Sequence, residues 1–172
     1  MKNENSLLAQ LIQSFKILPG IGEKSAQRMA FYLLEKNREC GNNLARLISN
    51  SMEKIRNCST CRNLTEEIEC DICSSEKRDK SLLCVVENPT DVIAIESSGS
   101  FKGKYFVLMG RLSPIDGVTP EDLGIPMLIN RVINSDIKEI IIATSPTVEG
   151  DATSFYIKDQ IKNENILISR IA

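Results

Sequence analysis

Four cysteines carry the clearest chemistry in this 172-residue chain. They stand as Cys58-Ser59-Thr60-Cys61 and, eight residues on, Cys70-Asp71-Ile72-Cys73. A C-x2-C turn presents two thiolates on one side of a tight knuckle, and two knuckles supply the four sulfurs of a tetrahedral zinc site. The competing readings are two disulfides or four unrelated thiols. Close pairing in a chain with no secretory signature favours metal, one zinc per chain. Four protein ligands leave no open coordination position, so the expected zinc is structural. Cys40 and Cys84 lack a partner pair, and Cys84, inside an apolar run, reads as a small buried residue.

A second group of residues suits phosphate. Leu18-Pro19-Gly20-Ile21-Gly22 separates two helical stretches, and Lys24 and Arg28 follow. Gly20 and Gly22 let the backbone approach an anion, and the following helix offers unpaired amides and the positive end of its dipole. Lys24 and Arg28 lie four apart on one helical face and can reach the same phosphate tract. The pattern resembles a helix-hairpin-helix, which grips DNA backbone without reading sequence. The plainer alternative is an αα-hairpin whose glycines serve only the turn.

The third group is acidic: Glu87, Asp91, Glu149 and Asp151. Each follows an apolar run, so in an open parallel sheet they would gather where the strands end, which is the functional edge of such sheets. There they could hold Mg²⁺ through carboxylates and water, serve as a polar partner-binding edge, or simply cap helix N-termini, which suits Asp91 and Asp151.

Those placements need particular elements. Leu7, Leu8, Leu11, Ile12 and Phe15 recur at helical spacing, predicting a helix over 5–17; further helices are expected over 23–35 and 43–56. After the cysteines, short apolar runs predict strands at 82–86, 105–109, 140–143 and 166–168. Asn88-Pro89 should open the helix after the first, with other helices over 121–134 and 151–162. Strands this apolar, separated by helices, predict a parallel sheet covered on both faces. The expected fold class is therefore α/β and multidomain: residues 1–57 helix-hairpin-helix, 58–78 a four-cysteine zinc finger, and 79–172 a parallel-sheet α/β domain.

Composition excludes several function classes. There is no histidine, which removes Ser-His, Cys-His and His-zinc catalysis together. No apolar run approaches the ~20 residues that span a bilayer. Met1-Lys2-Asn3-Glu4-Asn5 leads into an amphipathic stretch and not a signal peptide, so the expected location is the cytoplasm. Net charge is −2, but unevenly spread: residues 1–57 hold nine Lys/Arg against five Asp/Glu, the remainder twelve against eighteen. A basic N-terminal third suits a DNA-facing end.

Taken together, the segments Leu18 to Ala30, Cys58 to Cys73, Leu83 to Asp91, Tyr105 to Gly117 and Ala143 to Thr153 closely resemble the bacterial RecR family of recombination mediators. The resemblance implies a Toprim-type α/β domain and a DNA-repair function that is not enzymatic. It implies binding to single- and double-stranded DNA, association with the nucleoid and with RecO and RecF, and help in loading recombinase. It also implies homo-oligomers, dimers or a tetrameric ring, with no membrane role. Lys24 and Arg28 match the family's DNA-contacting positions; Glu87 and Glu149 match its acidic Toprim positions.

Two departures stand out. Arg111 occupies a position where similar sequences often have histidine, and no role follows for it. The chain also stops at Ala172, where family members usually continue with an acidic, Gly/Pro-rich segment, so poor ring closure is expected beside intact dimers. The alternative from another class is a Mg²⁺-dependent Toprim enzyme fragment of primase or topoisomerase type, using Glu87, Glu149 and Asp151. A zinc-ribbon nucleic-acid binder is weaker, because residues 58–73 carry only Arg62 against Glu66, Glu67, Glu69 and Asp71.

Overall fold

The computed structural model describes residues 6–171. Met1–Asn5, including the expected start of the first helix, and Ala172 lie outside the described residues. The chain divides into two compact units, Met1–Lys54 and Ile55–Ala172.

The first unit is helical. Helix α1 spans Leu7–Lys16, and the hydroxyl of Ser6 caps it by accepting from the Ala9 amide at 3.2 Å. Helix α2, Glu23–Phe31, follows the Pro-Gly turn and runs into a π-helical turn at Tyr32–Lys36. The expected helix over 23–35 is thus regular only to Phe31. Helix α3, Arg38–Lys54, begins five residues before the expected 43, because Asn37 Oδ1 accepts from the Cys40 amide at 3.0 Å and starts it early. Among the described residues of this unit only Ala26 and Ala30 are buried.

The second unit starts with the cysteine segment. Strands β1 (Arg56–Asn57) and β2 (Leu64–Thr65) pair antiparallel, and the one-turn helix α4 (Asp71–Ser74) follows. No periodicity of two residues could have announced strands this short. The rest alternates: β3 (Leu82–Val86), α5 (Pro89–Ser97), β4 (Lys104–Val107), α6 (Ile125–Ile133), β5 (Glu139–Ala143), α7 (Val148–Gln160) and β6 (Leu167–Arg170). The order across the sheet is β4-β3-β5-β6, with every pair parallel.

Side chains along β3 alternate between two cores, as the pleat requires. Leu83 and Val85 join Phe106, Ile140, Ile142, Leu128 of α6 and Ile157 of α7. Cys84 and Val86 join Tyr105, Val107, Val92 of α5 and, at the margin, Ile72 of α4. The expectation of a parallel sheet buried on both faces is met, with Cys84 a buried packing residue.

Boundaries moved where turn chemistry overrode hydrophobic pattern. Helix α6 starts at Ile125 instead of 121, after Gly124 in the left-handed region at φ +67°. Helix α7 starts at Val148 instead of 151, because the Thr147 hydroxyl caps it by accepting from the Gly150 amide at 3.2 Å. Strand β4 starts at Lys104 and ends at Val107, short of the expected 109: Met109 takes φ +64° and leaves the sheet.

One polar network joins α5 to β4. Arg78 makes a bidentate pair with Glu96, one arm at 2.9 Å, and the Tyr105 hydroxyl donates to the same carboxylate at 2.7 Å. The Arg78 hydrogen bonds hold the Glu96 carboxyl below its ordinary range. A lowered folded value stabilises above the unfolded carboxylate range, and that contribution disappears as pH falls through the lowered value. Glu96→Gln should therefore cost about 1 kcal/mol at pH 7, after allowance for partial exposure, and its stability should fall less steeply below about pH 4.3 than the parent's. Urea unfolding at pH 7 and pH 3.5 checks both; parallel pH curves would show that the pair adds nothing.

Candidate metal centre and nucleic-acid interface

In the cysteine knuckle, Cys58, Cys61, Cys70 and Cys73 bring their Sγ atoms within 4.8 Å of one another. Zn–S bonds of about 2.3 Å in a tetrahedron need sulfurs about 3.8 Å apart, and Cys61 Sγ and Cys70 Sγ stand at 3.5 Å. The first three cysteines are buried and Cys73 is half-buried. Backbone amides point at the sulfurs: Thr60 and Cys70 both donate to Cys58 Sγ, at 3.4 and 3.3 Å. Such donors stabilise thiolate. Hydrogen bonding from Cys61 pulls the Cys70 thiol strongly down, while the same contact, Cys73 and burial push Cys61 up. A bound cation would favour ionisation of all four sulfurs together. The donor set fits a metal ion, and no other group of three or more Cys, Asp or Glu among the described residues does.

The hairpin of the first unit lies open. Gly20 takes φ +77°, which its turn requires. Gly22 sits at φ −85°, which any residue adopts, and a Cβ at either glycine would meet nothing within 4 Å. Packing therefore does not demand glycine at 22. No side chain caps α2. Lys24 and Arg28 are both exposed, four residues apart on α2, and neither has an acidic partner at ion-pair distance among the described residues. Lys16 differs, being paired with Glu23 at 2.6 Å.

At the carboxyl edge of the sheet the four acidic residues part company. The strand order reverses between β3 and β5, the position where open α/β sheets form a crevice. Glu87 follows β3 there, 7% exposed, and accepts from both the amide and the hydroxyl of Ser145 at 2.8 Å. Asp91 accepts from the Asn88 amide at 2.7 Å, closing the first turn of α5. Asp151 pairs with Arg170 of β6. Glu149, in the first turn of α7, is half-buried. The backbone crossing is tight: a Cβ on Gly150 would collide with the Ser145 carbonyl oxygen.

Comparison with known sequences bears directly on this arrangement. The family model described as "RecR, helix-hairpin-helix" matches residues 8–52, and the Toprim domain model matches residues 81–172. Recombination protein RecR of Saccharophagus degradans is 51% identical over 166 residues, covering 96% of this chain and 84% of that protein. The chain belongs to the RecR family of recombination proteins. The expected N-terminal helix-hairpin-helix, four-cysteine cluster and parallel-sheet Toprim domain are all found in the chain. No helix among the described residues is long and apolar enough to cross a membrane.

Sequence reasoning missed the residues that fasten the knuckle to the Toprim sheet. The Val107 amide of β4 donates to the Cys61 carbonyl at 2.8 Å. Arg62, at φ +65°, donates to the carbonyls of Leu108 at 3.2 Å and Asp122 at 2.8 Å. Arg131 of α6 reaches the carbonyls of Thr60 at 3.2 Å and Tyr105 at 2.8 Å. Lys104, only 5% exposed, donates to the carbonyls of Ile72, Cys73 and Ser75 at 2.9, 2.7 and 2.9 Å. The available signal was a lysine directly abutting a fully apolar run. Arg111, without an expected role, brings Nη1 to 3.5 Å from Ser145 Oγ, at the limit of a hydrogen bond.

Proposed function

We propose that this chain is a non-enzymatic recombination mediator of the cytoplasm and nucleoid. It holds single- and double-stranded DNA by the backbone and, with RecO and RecF, helps load recombinase onto single-stranded DNA. The observation that carries the reading is the open hairpin: exposed Lys24 and Arg28 beside a Gly22 that packing does not require, within a RecR helix-hairpin-helix. Gly20, Gly22, Lys24 and Arg28 are the proposed DNA contacts.

The cysteine cluster is proposed to hold one structural zinc. Its four sulfurs would complete a tetrahedron with no position left for water, so the metal contributes folding free energy and no reaction. The edge carrying Glu87, Asp91, Glu149 and Asp151 is proposed as a docking surface for protein partners. The alternative, a Mg²⁺-dependent Toprim enzyme, is not favoured. Glu87 is committed to Ser145, Asp91 to its helix turn and Asp151 to Arg170.

Self-association is proposed through the first unit. Leu44, Leu47, Ile48 and Met52 form one stripe of α3, and all are exposed, Met52 by 77%. With only Ala26 and Ala30 buried among its described residues, the unit has little core of its own. A second copy supplies an identical stripe, and a two-fold pairing buries both at once.

Three measurements test these readings. Elemental analysis should find one zinc per chain, and Cys58→Ser should release it and destabilise the knuckle; a metal-free parent that stays folded in chelator would overturn the metal reading. Lys24→Ala and Arg28→Ala should each weaken DNA binding alike across sequences and flatten the log–log salt dependence by about one unit. A double variant that binds like the parent at every salt concentration would move the DNA site elsewhere. Light scattering over a concentration series should show a dimer, converted toward monomer by Leu47→Glu with Ile48→Glu; a variant that keeps the parent's mass would place the interface outside α3.

A further inference from the structure

Lys104 is a buried cation without a buried anion. The residue is 5% exposed, and its ammonium forms no ion pair among the described residues and gives all three hydrogens to main-chain carbonyls of the cysteine segment. Carbonyl oxygens satisfy the hydrogens but leave the net charge, and burying an uncompensated charge costs several kcal/mol. A C-terminal helix cap would account for the geometry, yet α4 is only four residues long and its dipole is correspondingly small. The middle carbonyl belongs to Cys73, one of the four clustered thiols. An arginine approaches the same knuckle, Arg131 through the Thr60 carbonyl.

We infer that Lys104 is the electrostatic counter-ion of the four-cysteine metal centre, a positioning residue outside the ligand set that stabilises the charge of the metal–thiolate unit. The inference rests on the proposal that the cluster holds zinc. Four thiolates around a dication carry a net charge of −2, and that charge supplies what Lys104 otherwise lacks. The attraction runs both ways: the ammonium favours ionised cysteines, and the loaded centre favours a charged, buried lysine. Arg131 adds a second cation at the first cysteine pair, through the Thr60 carbonyl. This explains why an apolar strand, β4, begins with a lysine turned inward.

Two variants separate charge from hydrogen bonding. Lys104→Gln keeps a donor for the carbonyls and removes the charge; Lys104→Arg keeps the charge and changes the shape. Full-length parent and variants are loaded with Zn²⁺ and titrated against a chelating indicator, then loaded with Co²⁺ to record the sulfur-to-cobalt charge-transfer band. Lys104→Gln should bind metal about 10- to 100-fold more weakly, the usual range for second-layer substitutions, and its band should shift to lower energy because the thiolates become better donors. Lys104→Arg should stay within a few-fold of the parent with an unshifted band. A glutamine variant matching the parent in affinity and band, or an arginine variant as weak as the glutamine, would overturn the counter-ion role. If the glutamine variant folds only with excess zinc, or fails to fold while the arginine variant folds and holds metal, the role is supported. If both fail to fold with saturating zinc, shape and not charge is decisive and the inference falls. A parent that binds no metal would instead overturn the zinc reading beneath it.

Discussion

A four-stranded parallel sheet has two edges, and its stability depends on what happens to the row of unpaired backbone groups along each. Here the cysteine knuckle closes the β4 edge. The Val107 amide continues the ladder onto the Cys61 carbonyl, and Lys104 and Arg131 fix carbonyls on either side of that junction. The result is visible in burial: every residue of β4 is buried, whereas β6, at the other edge, leaves Leu167 63% exposed. The knuckle is thus part of the sheet's architecture and not a separate bead on the chain. Disturbing the sulfurs reaches Tyr105 and Val107 directly, and through them the core that contains Val86 and Val92.

The same dependence bears on the carboxyl edge. Glu87 follows β3, the strand next to β4, and its carboxylate is fixed by two hydrogen bonds from Ser145, two residues past β5. The crevice at the point of strand reversal is therefore bridged within the chain. Gly150 permits this bridge, since only a residue without Cβ lets α7 begin so close to the Ser145 carbonyl. A carboxylate held in this way presents a defined acidic position with little freedom to rearrange around an ion. Such an edge suits recognition by a partner's donors better than the shared coordination of a metal by several carboxylates.

How much of this was legible beforehand follows from the range of each interaction. The cysteine spacing, the Pro-Gly turn and the apolar runs are local signals, and each placed its element correctly. The parallel sheet followed from strand composition alone, because burial on both faces requires continuous Leu, Ile and Val. Helix ends were less legible. Asn37, Thr147 and Gly124 set them by capping or by left-handed backbone, and those choices compete with periodicity in ways that hydrophobic pattern does not record. Least legible were contacts between distant parts of the chain. Arg131 and Thr60 are 71 residues apart, and nothing near either announces the other. Among the acidic residues after a strand, Asp91 was legible as a helix cap and closes its own helix turn, whereas nothing near Glu87 announced its bridge to Ser145.

The two units solve the problem of burial differently, and this bears on assembly. In the second unit, two cores on opposite faces of one sheet use most of the apolar side chains available. In the first, α1 and α3 contain no buried residue among those described, although both carry apolar stripes. The helices form although α3 includes the weak helix formers Gly41, Asn42 and Asn43, so its stability depends the more on packing. Stable amphipathic helices draw most of their stability from packing the apolar face. On the proposed reading, in which the glycine turn and its two cations hold DNA, the hairpin would gain from a surface beyond its own three helices. With a second copy pressed on α3, the same contact would order the turn and double the number of basic hairpins offered to one DNA molecule, raising avidity with no further contact per hairpin.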